Sequence, residues 1–182
     1  MPTRARERLV RAAEELFYSE GIRAVGVERL LAASGVGRAS FYRHFTSKDD
    51  LVVAIVRGYG EQWRGWLEQE VTARGGAPLA VFDALAEQHA APEFRGCASI
   101  NAMVEAADSG SAAHGVAAEN KEAVVDYLDG LLAAAGHDEH RALAEQFMLL
   151  IDGATVTALR ERTRAPALRA KAIAEMLLAA DD

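Results

Sequence analysis

The sequence predicts an all-helical protein of about nine helices, in which a three-helix N-terminal unit precedes a larger helical body. Three observations support this fold class. Apolar residues recur at helical spacing, and no convincing run of alternating strand residues occurs. Short breaks that contain glycine or proline separate the helical stretches. Hydrophobic residues make up 51% of the 182 residues and charged residues 26%, which is typical of a globular chain that buries its own core.

Charge is distributed unevenly along the chain. Residues 1–48 hold nine Lys/Arg and five Asp/Glu, a net charge of +4, whereas residues 49–182 hold eleven and twenty-two, a net charge of −11. A basic segment on an acidic body is expected where one module meets a polyanion, although chance clustering of surface charge explains the same numbers. We therefore expect two domains, at 1–48 and 49–182.

The sequence also bears on location and redox environment. No run of 18 or more apolar residues appears, and the stretch MPTRARERLVRAAEEL carries charges where a secretory signal has an apolar centre. The one cysteine, Cys97, has no second cysteine with which to form an internal disulfide. We expect a cytoplasmic protein with no membrane partner.

The first three helices are short and closely spaced. Leu9, Ala13, Leu16 and Phe17 form one apolar face of a first helix that Gly21 ends. A second helical pattern covers residues 27–34. It predicts a short helix that leads directly into a glycine-containing break.

That break is Gly35-Val36-Gly37, and a third helix follows it over residues 38–45. Two short helices joined by a three-residue turn with glycine have the form of a helix-turn-helix. Just beyond, Ser47 and Asp50 have the spacing of a capping box, which predicts the start of a long fourth helix.

The third helix has two chemically distinct faces. At about 100° per residue Phe41 and Phe45 lie together, and we expect them to be buried. The other side chains are small, basic or hydrogen-bonding: Ala39, Ser40, Tyr42, Arg43 and His44. Such a helix suits the major groove of DNA, with small and basic groups near base edges and longer groups near phosphates. For Tyr42 and His44 the spacing fits a half-buried surface pair equally well.

The run from Gly21 to Leu51, with AASGVGRASFYRHFTSKDDL at its centre, resembles the DNA-binding signature of the TetR-type transcriptional repressors, over about residues 3–51. The resemblance implies that one set of side chains faces DNA: Arg38, Ala39, Ser40, Tyr42, Arg43, His44 and Lys48. Lys48 and the start of the fourth helix would hold phosphate, and free amides at a helix start attract anions.

The sequence departs from the family pattern at three positions. Gly26 stands before the second helix, where relatives usually carry Thr or Ser, and Gly37 before the third, where they carry Ser. Ala39 replaces a usual glycine near the DNA backbone. Glycine offers no hydroxyl to a backbone amide or to a phosphate. These departures bear on individual phosphate contacts and leave the motif in place.

The resemblance implies a sequence-specific transcriptional repressor that binds a palindromic operator as a homodimer and is released by a small-molecule effector. Candidate effector-pocket residues are Trp63, Trp66, Phe82, His89, Cys97, Asn101, Glu105, Tyr127 and Phe147. The last two helices are apolar on more than one face, which indicates a core position or a shared interface. Candidate dimer residues there are Phe147, Ile151, Ala154, Ala158, Leu168, Ile173, Met176 and Leu177.

Enzymatic functions have no support in the sequence. It contains no glycine-rich phosphate loop, no H-E-x-x-H motif and no cysteine pair for a metal, so we predict no catalytic residue, metal or cofactor. The alternative to a repressor is a helical ligand-binding or interaction protein whose helix-turn-helix no longer binds DNA.

Overall fold

The computed structural model describes residues 2–106 and 108–181, and within these ranges it contains nine α-helices and no strand. The helices are α1 Pro2–Glu20, α2 Val27–Ser34, α3 Arg38–His44, α4 Lys48–Ala73, α5 Ala80–His89, α6 Ala98–Ala106, α7 Ala112–Ala135, α8 His140–Glu161 and α9 Ala165–Asp181. The predicted all-helical class and the predicted number of helices are confirmed.

The helices form two compact units. Unit 1 comprises residues 1–60 and 98–119, and unit 2 comprises residues 61–97 and 120–182. Helices α4 and α7 therefore each contribute residues to both units. The domain boundary expected after residue 48 stays a prediction. The packing groups residues 49–60 and 98–119 with the first three helices.

The core of unit 1 is built around the apolar face of α1. The predicted face is confirmed, since Leu9, Ala13, Leu16 and Phe17 are all buried. They share one cluster with buried residues of the neighbouring helices: Leu30, Val36, Phe41, Phe45, Leu51, Ile55, Ala102 and Val116. Because a helix buries only the stripe that faces its neighbours, the opposite stripe of each helix stays in water.

The turn between α1 and α2 is held by α6. Gly21 ends α1 with a φ of 92°, a left-handed conformation that favours glycine, and its N–H donates to the carbonyl of Phe17 at 3.1 Å. Glu105 of α6 accepts a hydrogen bond from the backbone N–H of Arg23 at 2.9 Å. The Arg23 Nε in turn donates to the Glu105 carbonyl at 2.7 Å. Arg23 donates both bonds and Glu105 accepts them, and together they attach α6 to this turn within unit 1.

The core of unit 2 is formed mainly by α5, α7, α8 and α9. The rings of Phe82 and Phe147 lie 5.3 Å apart and both side chains are fully buried. Around them lie buried aliphatic residues that include Leu67, Leu85, Leu128, Leu132, Leu143 and Ile151. Phe147, which the sequence offered as both a pocket and a dimer residue, therefore lies in the monomer core.

Replacing Phe147 with Ala is expected to lower the free energy of unfolding by about 3–5 kcal/mol, because truncating a buried Phe removes apolar contacts and leaves a cavity. The matched control is Gln146→Ala, since Gln146 is the exposed neighbour on the same helix and should change the value by less than about 0.5 kcal/mol. Urea unfolding followed by circular dichroism at one fixed protein concentration measures both. Equal effects of the two substitutions would contradict the core position of Phe147.

Candidate nucleic-acid interface and ligand region

The α2–α3 corner has the geometry of a helix-turn-helix. Gly35 ends α2 with φ 62° and ψ 26°, the left-handed region that glycine adopts most easily. Val36 points into the core with 4% of its surface exposed, and its N–H donates to the Ser34 hydroxyl at 3.3 Å. A short, internally bonded turn thus fixes the direction of α3 relative to α2.

Helix α3 presents the two faces that the sequence predicts. Phe41 is fully buried and Phe45 is 4% exposed, and their rings lie 6.1 Å apart. Ala39, Tyr42 and Arg43 are exposed, while Ser40 and His44 are half-buried. The Tyr42 ring lies edge-on to Phe41 with centroids 5.1 Å apart, which limits the positions its hydroxyl can take.

Two side chains expected at DNA are engaged within unit 1. Arg38 pairs with Glu28 of α2, and both side chains are more than half exposed. Such a surface pair contributes little stability and exchanges readily for another anion. Lys48 donates from Nζ to the carbonyl of Ile22 at 2.5 Å, and Nζ lies 5.9 Å from the centre of the Phe17 ring. Lys48 therefore fastens the start of α4 to the α1–α2 turn.

The start of α4 contains a modified capping box. The predicted half is present, because the hydroxyl of Ser47 accepts from the N–H of Asp50 at 3.1 Å. The Asp50 carboxylate accepts from the N–H and hydroxyl of Thr46, at 3.0 and 2.9 Å, rather than from Ser47. The Thr46 N–H holds the pKa of Asp50 below its usual value. Asp50 therefore keeps a negative charge beside the amides that were expected to attract phosphate.

Gly26 and Gly37 occupy the N-cap positions of α2 and α3. Both have extended backbone, and neither helix start receives a hydrogen bond from a side-chain cap. No heavy atom lies within 4 Å of where a Cβ would stand at either residue. The missing hydroxyls are therefore a feature of the sequence and are not imposed by crowding.

Comparison with known proteins places this corner in a family. Residues 9–55 match the bacterial regulatory proteins of the tetR family. Over nearly its whole length the chain is similar to the crystal structure of a TetR-family transcriptional regulator from Streptomyces coelicolor, with 29% identity, coverage of 98% of this chain and 96% of that one, and a TM-score of 0.84. The chain belongs to the TetR family of transcriptional regulators.

Other TetR relatives give the same assignment. The TetR regulatory protein of Rhodobacter sphaeroides is 26% identical, with a TM-score of 0.76 and coverage of 93% of this chain and 96% of that one. The transcriptional regulator AcuR of Cereibacter sphaeroides is 34% identical over 98 residues, 51% of this chain and 45% of AcuR. The HTH-type transcriptional repressor KstR2 of Rhodococcus jostii is 35% identical over 80 residues, 44% of this chain and 39% of KstR2. The matched region spans about half the length, or less, of these curated relatives.

The expected effector-pocket residues fall into both units. Trp63, Trp66, Cys97 and Tyr127 are half-buried in unit 2, and the two Trp rings lie 6.1 Å apart. The Trp63 indole donates to Gln88 at 3.2 Å. Phe82, His89 and Phe147 are buried in unit 2, whereas Asn101 and Glu105 belong to unit 1. The structure thus brings Trp63 to Trp66 and Phe82 to Phe147, and Glu105 to the α1–α2 turn.

His89 is the most unusual polar side chain of unit 2. It is 1% exposed, its ring lies 4.7 Å from that of Phe94, and its Nε2 lies 3.3 Å from the hydroxyl of Thr155. Its Nδ1 is buried and has no hydrogen-bond partner among the described residues. Burial lowers the pKa of His89 from 6.5 to about 4, so the imidazole is neutral at pH 7.

The expected dimer residues divide by exposure. On α8, Phe147, Ile151, Ala154 and Ala158 are buried inside unit 2. On α9, Leu168, Ile173 and Met176 are 44%, 42% and 64% exposed, and Leu177 is partly buried. The sequence list omitted two exposed α8 residues, Leu149 at 75% and Val156 at 53%. Their i, i+7 spacing places them on one stripe of α8. The sequence signal for them is a pair of apolar residues at helical spacing outside the core face.

By length and composition only, helix α8 is also long and apolar enough to cross a membrane. Among the described residues it is the one such helix, with a mean hydropathy of 1.3 over its most apolar 18-residue window, of which 44% is buried. A core helix of a globular unit passes the same test. The described ranges contain no cluster of three His, Cys, Asp or Glu side chains that could hold a metal ion.

The free energy of unfolding is expected to fall as pH is lowered from 6.5 to about 4, because unfolded His89 binds a proton over this range and folded His89 does not. His89→Gln should flatten this part of the profile. The control is His114→Gln, since His114 is a half-buried histidine of unit 1. Urea unfolding at half-unit pH steps between 4 and 7 gives the profiles. A His89→Gln profile as steep as that of the unsubstituted protein would contradict the burial of a neutral imidazole.

Proposed function

We propose that this TetR-family regulator is a dimeric repressor, which inserts α3 of each subunit into a palindromic DNA operator and dissociates when unit 2 binds a small molecule. The observation that carries DNA binding is the exposed face of α3. Arg43 lies there beside Ala39 and Tyr42, and it makes no ion pair with any described carboxylate. A free guanidinium on a helix backed by a buried aromatic face suits bidentate contact with guanine.

The other DNA-facing candidates have supporting roles in this proposal. Arg38 would exchange Glu28 for phosphate, and Ser40, Tyr42 and His44 would contact the backbone near α3. Lys48 would reach phosphate only by leaving the carbonyl of Ile22. Arg43 is therefore the residue whose substitution tests the function most directly.

Dimerisation is supported by the exposed apolar side chains of α8 and α9. Leu149 and Val156 flank Gly153, which is itself exposed and has open space at its Cβ position, so a second helix could approach α8 closely. Ile173 and Met176 add exposed apolar surface on α9. We propose that these helices pair with the same helices of a second copy. A two-fold dimer would present two α3 helices about 34–36 Å apart, one helical turn of DNA.

Release by an effector is supported by the core of unit 2. The only described buried polar side chains there are His89 and Thr155, and His89 Nδ1 lacks a partner. A small, largely apolar molecule with one hydrogen-bonding group would satisfy this nitrogen without burying a charge. Such an effector must bind the DNA-incompetent state more tightly than the competent one, because equal affinity shifts no population. Helix α4, which contributes residues to both units, is the proposed connection.

Repression and a cytoplasmic location belong to the same proposal, and it assigns no catalytic activity to the chain. The relative KstR2 is named an HTH-type transcriptional repressor, which supports a repressor role. The second candidate is a helical ligand-binding protein that has lost DNA binding. It is favoured by the absence of side-chain caps at Gly26 and Gly37 and by the negative charge of Asp50 at the start of α4.

DNA selection from a random duplex library, followed by sequencing, tests the proposal. The unsubstituted protein should enrich a palindrome with half-sites about 10 base pairs apart. Arg43→Ala should lose preference at one position of each half-site, at about 1–3 kcal/mol per lost base contact. Uniform weakening at every position would show that Arg43 contacts phosphate alone. Absence of binding at about 50 mM salt would favour the second candidate.

The dimer is expected to weaken when a charge is placed on its proposed interface. Leu149→Glu and Met176→Glu should each raise the dimer dissociation constant at least roughly tenfold, which corresponds to about 1.4 kcal/mol. Val104→Glu is the control, because Val104 is 74% exposed on α6 and lies outside α8 and α9. Sedimentation velocity at micromolar protein concentration distinguishes monomer from dimer. A monomeric unsubstituted protein, or a Leu149→Glu variant that remains fully dimeric, would overturn this interface.

A further inference from the structure

Most arginines of the chain have a partner, and those without one are concentrated near α3. Arg23, Arg29, Arg38, Arg57, Arg64, Arg74, Arg141, Arg160, Arg162 and Arg169 bind carboxylates or carbonyls. Among the described residues, six arginines have no hydrogen-bond or ion-pair partner: Arg4, Arg6, Arg8, Arg11, Arg43 and Arg164, of which Arg11 interacts electrostatically with Glu14. Five of these six lie on α1 or α3 of unit 1. Only Arg164 lies elsewhere.

Two of the unpaired arginines approach opposite ends of α3. The Arg6 guanidinium lies over the ring of Phe45, 5.5 Å from the ring centre. Phe45 is the residue that immediately follows α3. The Arg8 Nη1 lies 3.8 Å from the point where a Cβ would stand at Gly35, in the turn that precedes α3. Helix α1 thus places one guanidinium against the residue that follows α3 and another beside the turn that precedes α3, a helix about 10 Å long.

The contact with Phe45 leaves Arg6 free to bind a second group. A guanidinium that rests on an aromatic face keeps its N–H donors directed outward in its own plane. Phe45 is almost completely buried, so its ring is a fixed support. The support limits the orientations of the Arg6 side chain before any ligand arrives, which lowers the entropy lost on binding.

The charge pattern indicates what this group binds. Arg4, Arg6, Arg8 and Arg43 are all exposed and carry the same sign, so without a counter-charge they repel one another. A polyanion removes this repulsion and releases its own counterions as it binds. Planar guanidinium groups match the oxygens of phosphate in particular.

We propose that Arg6 and Arg8 of α1 bind the DNA backbone at phosphates beyond the two ends of α3, with Arg6 oriented by Phe45. This inference rests on the proposed DNA-binding function and adds a second helix to the DNA contact. The contact with the backbone does not depend on base sequence, so it operates on any duplex. Arg43 and its neighbours on α3 supply the sequence preference.

Fluorescence anisotropy with a labelled mixed-sequence duplex of 30 base pairs, titrated at several KCl concentrations, tests the inference. Each phosphate contact contributes about 0.9 to the slope of log affinity against log salt. Because the proposed dimer carries two copies of each arginine, Arg6→Ala and Arg8→Ala should each lower this slope by about 2. Arg6→Met should have the same effect as Arg6→Ala, because it keeps an apolar cover on Phe45 and removes only the charge. Arg6→Lys should keep the slope and bind several-fold more weakly, since an ammonium does not lie flat on the ring.

The matched control is Arg164→Ala, which removes an equally exposed and unpaired arginine from unit 2 and should leave the slope unchanged. Thermal unfolding of each variant verifies the fold. Unchanged slopes for Arg6→Met and Arg8→Ala, in a series where the unsubstituted protein binds the duplex, would overturn the inference alone. A fall in the slope for Arg164→Ala as large as that for Arg6→Met would also overturn it. An unsubstituted protein that binds no duplex at about 50 mM salt would overturn both this inference and the proposed function.

Discussion

The burial of Phe41 and Phe45 is the contact on which the DNA-facing unit depends. Both rings lie in the cluster formed by α1, α2 and α4, and their burial sets the rotation of α3 about its axis. Because residues four apart share one face of a helix, burying these two rings places Ala39 and Arg43 in water. Phe45 also supports Arg6. One apolar contact therefore positions groups on two helices, and a shift of α3 would move both.

The charges that unit 1 offers to a ligand depend on which side chains are paired as well as on how many charged residues it contains. Glu28 binds Arg38 and Glu105 binds Arg23, whereas Arg6, Arg8 and Arg43 have no ion-pair partner among the described residues. At the start of α4, Asp50 accepts a hydrogen bond from Thr46 and Lys48 donates one to the carbonyl of Ile22. In the proposed DNA complex, phosphate contacts therefore come from α1 as well as from the helix-turn-helix.

Helix α8 carries apolar side chains on two faces, one buried in the core of unit 2 and one exposed. Its buried face, with Phe147 and Ile151, completes the core of unit 2, while Leu149 and Val156 stay exposed. Exposed apolar side chains of this size on neighbouring helices are typical of a surface that a partner covers. Such a helix is apolar on both sides, which is why composition alone marks it as long and apolar enough for a membrane.

The sequence by itself determined the helical class, the number of helices, the helix-turn-helix and the inward face of α3, because helical periodicity and glycine turns are local properties. Tertiary structure decided which side chains have partners. Lys48 binds the carbonyl of Ile22, twenty-six residues away, and Glu105 binds Arg23 across eighty-two residues. Spacing along the chain does not encode such contacts. They arise when separate helices pack, and packing also decided that Phe147 lies in the core while Leu149 does not.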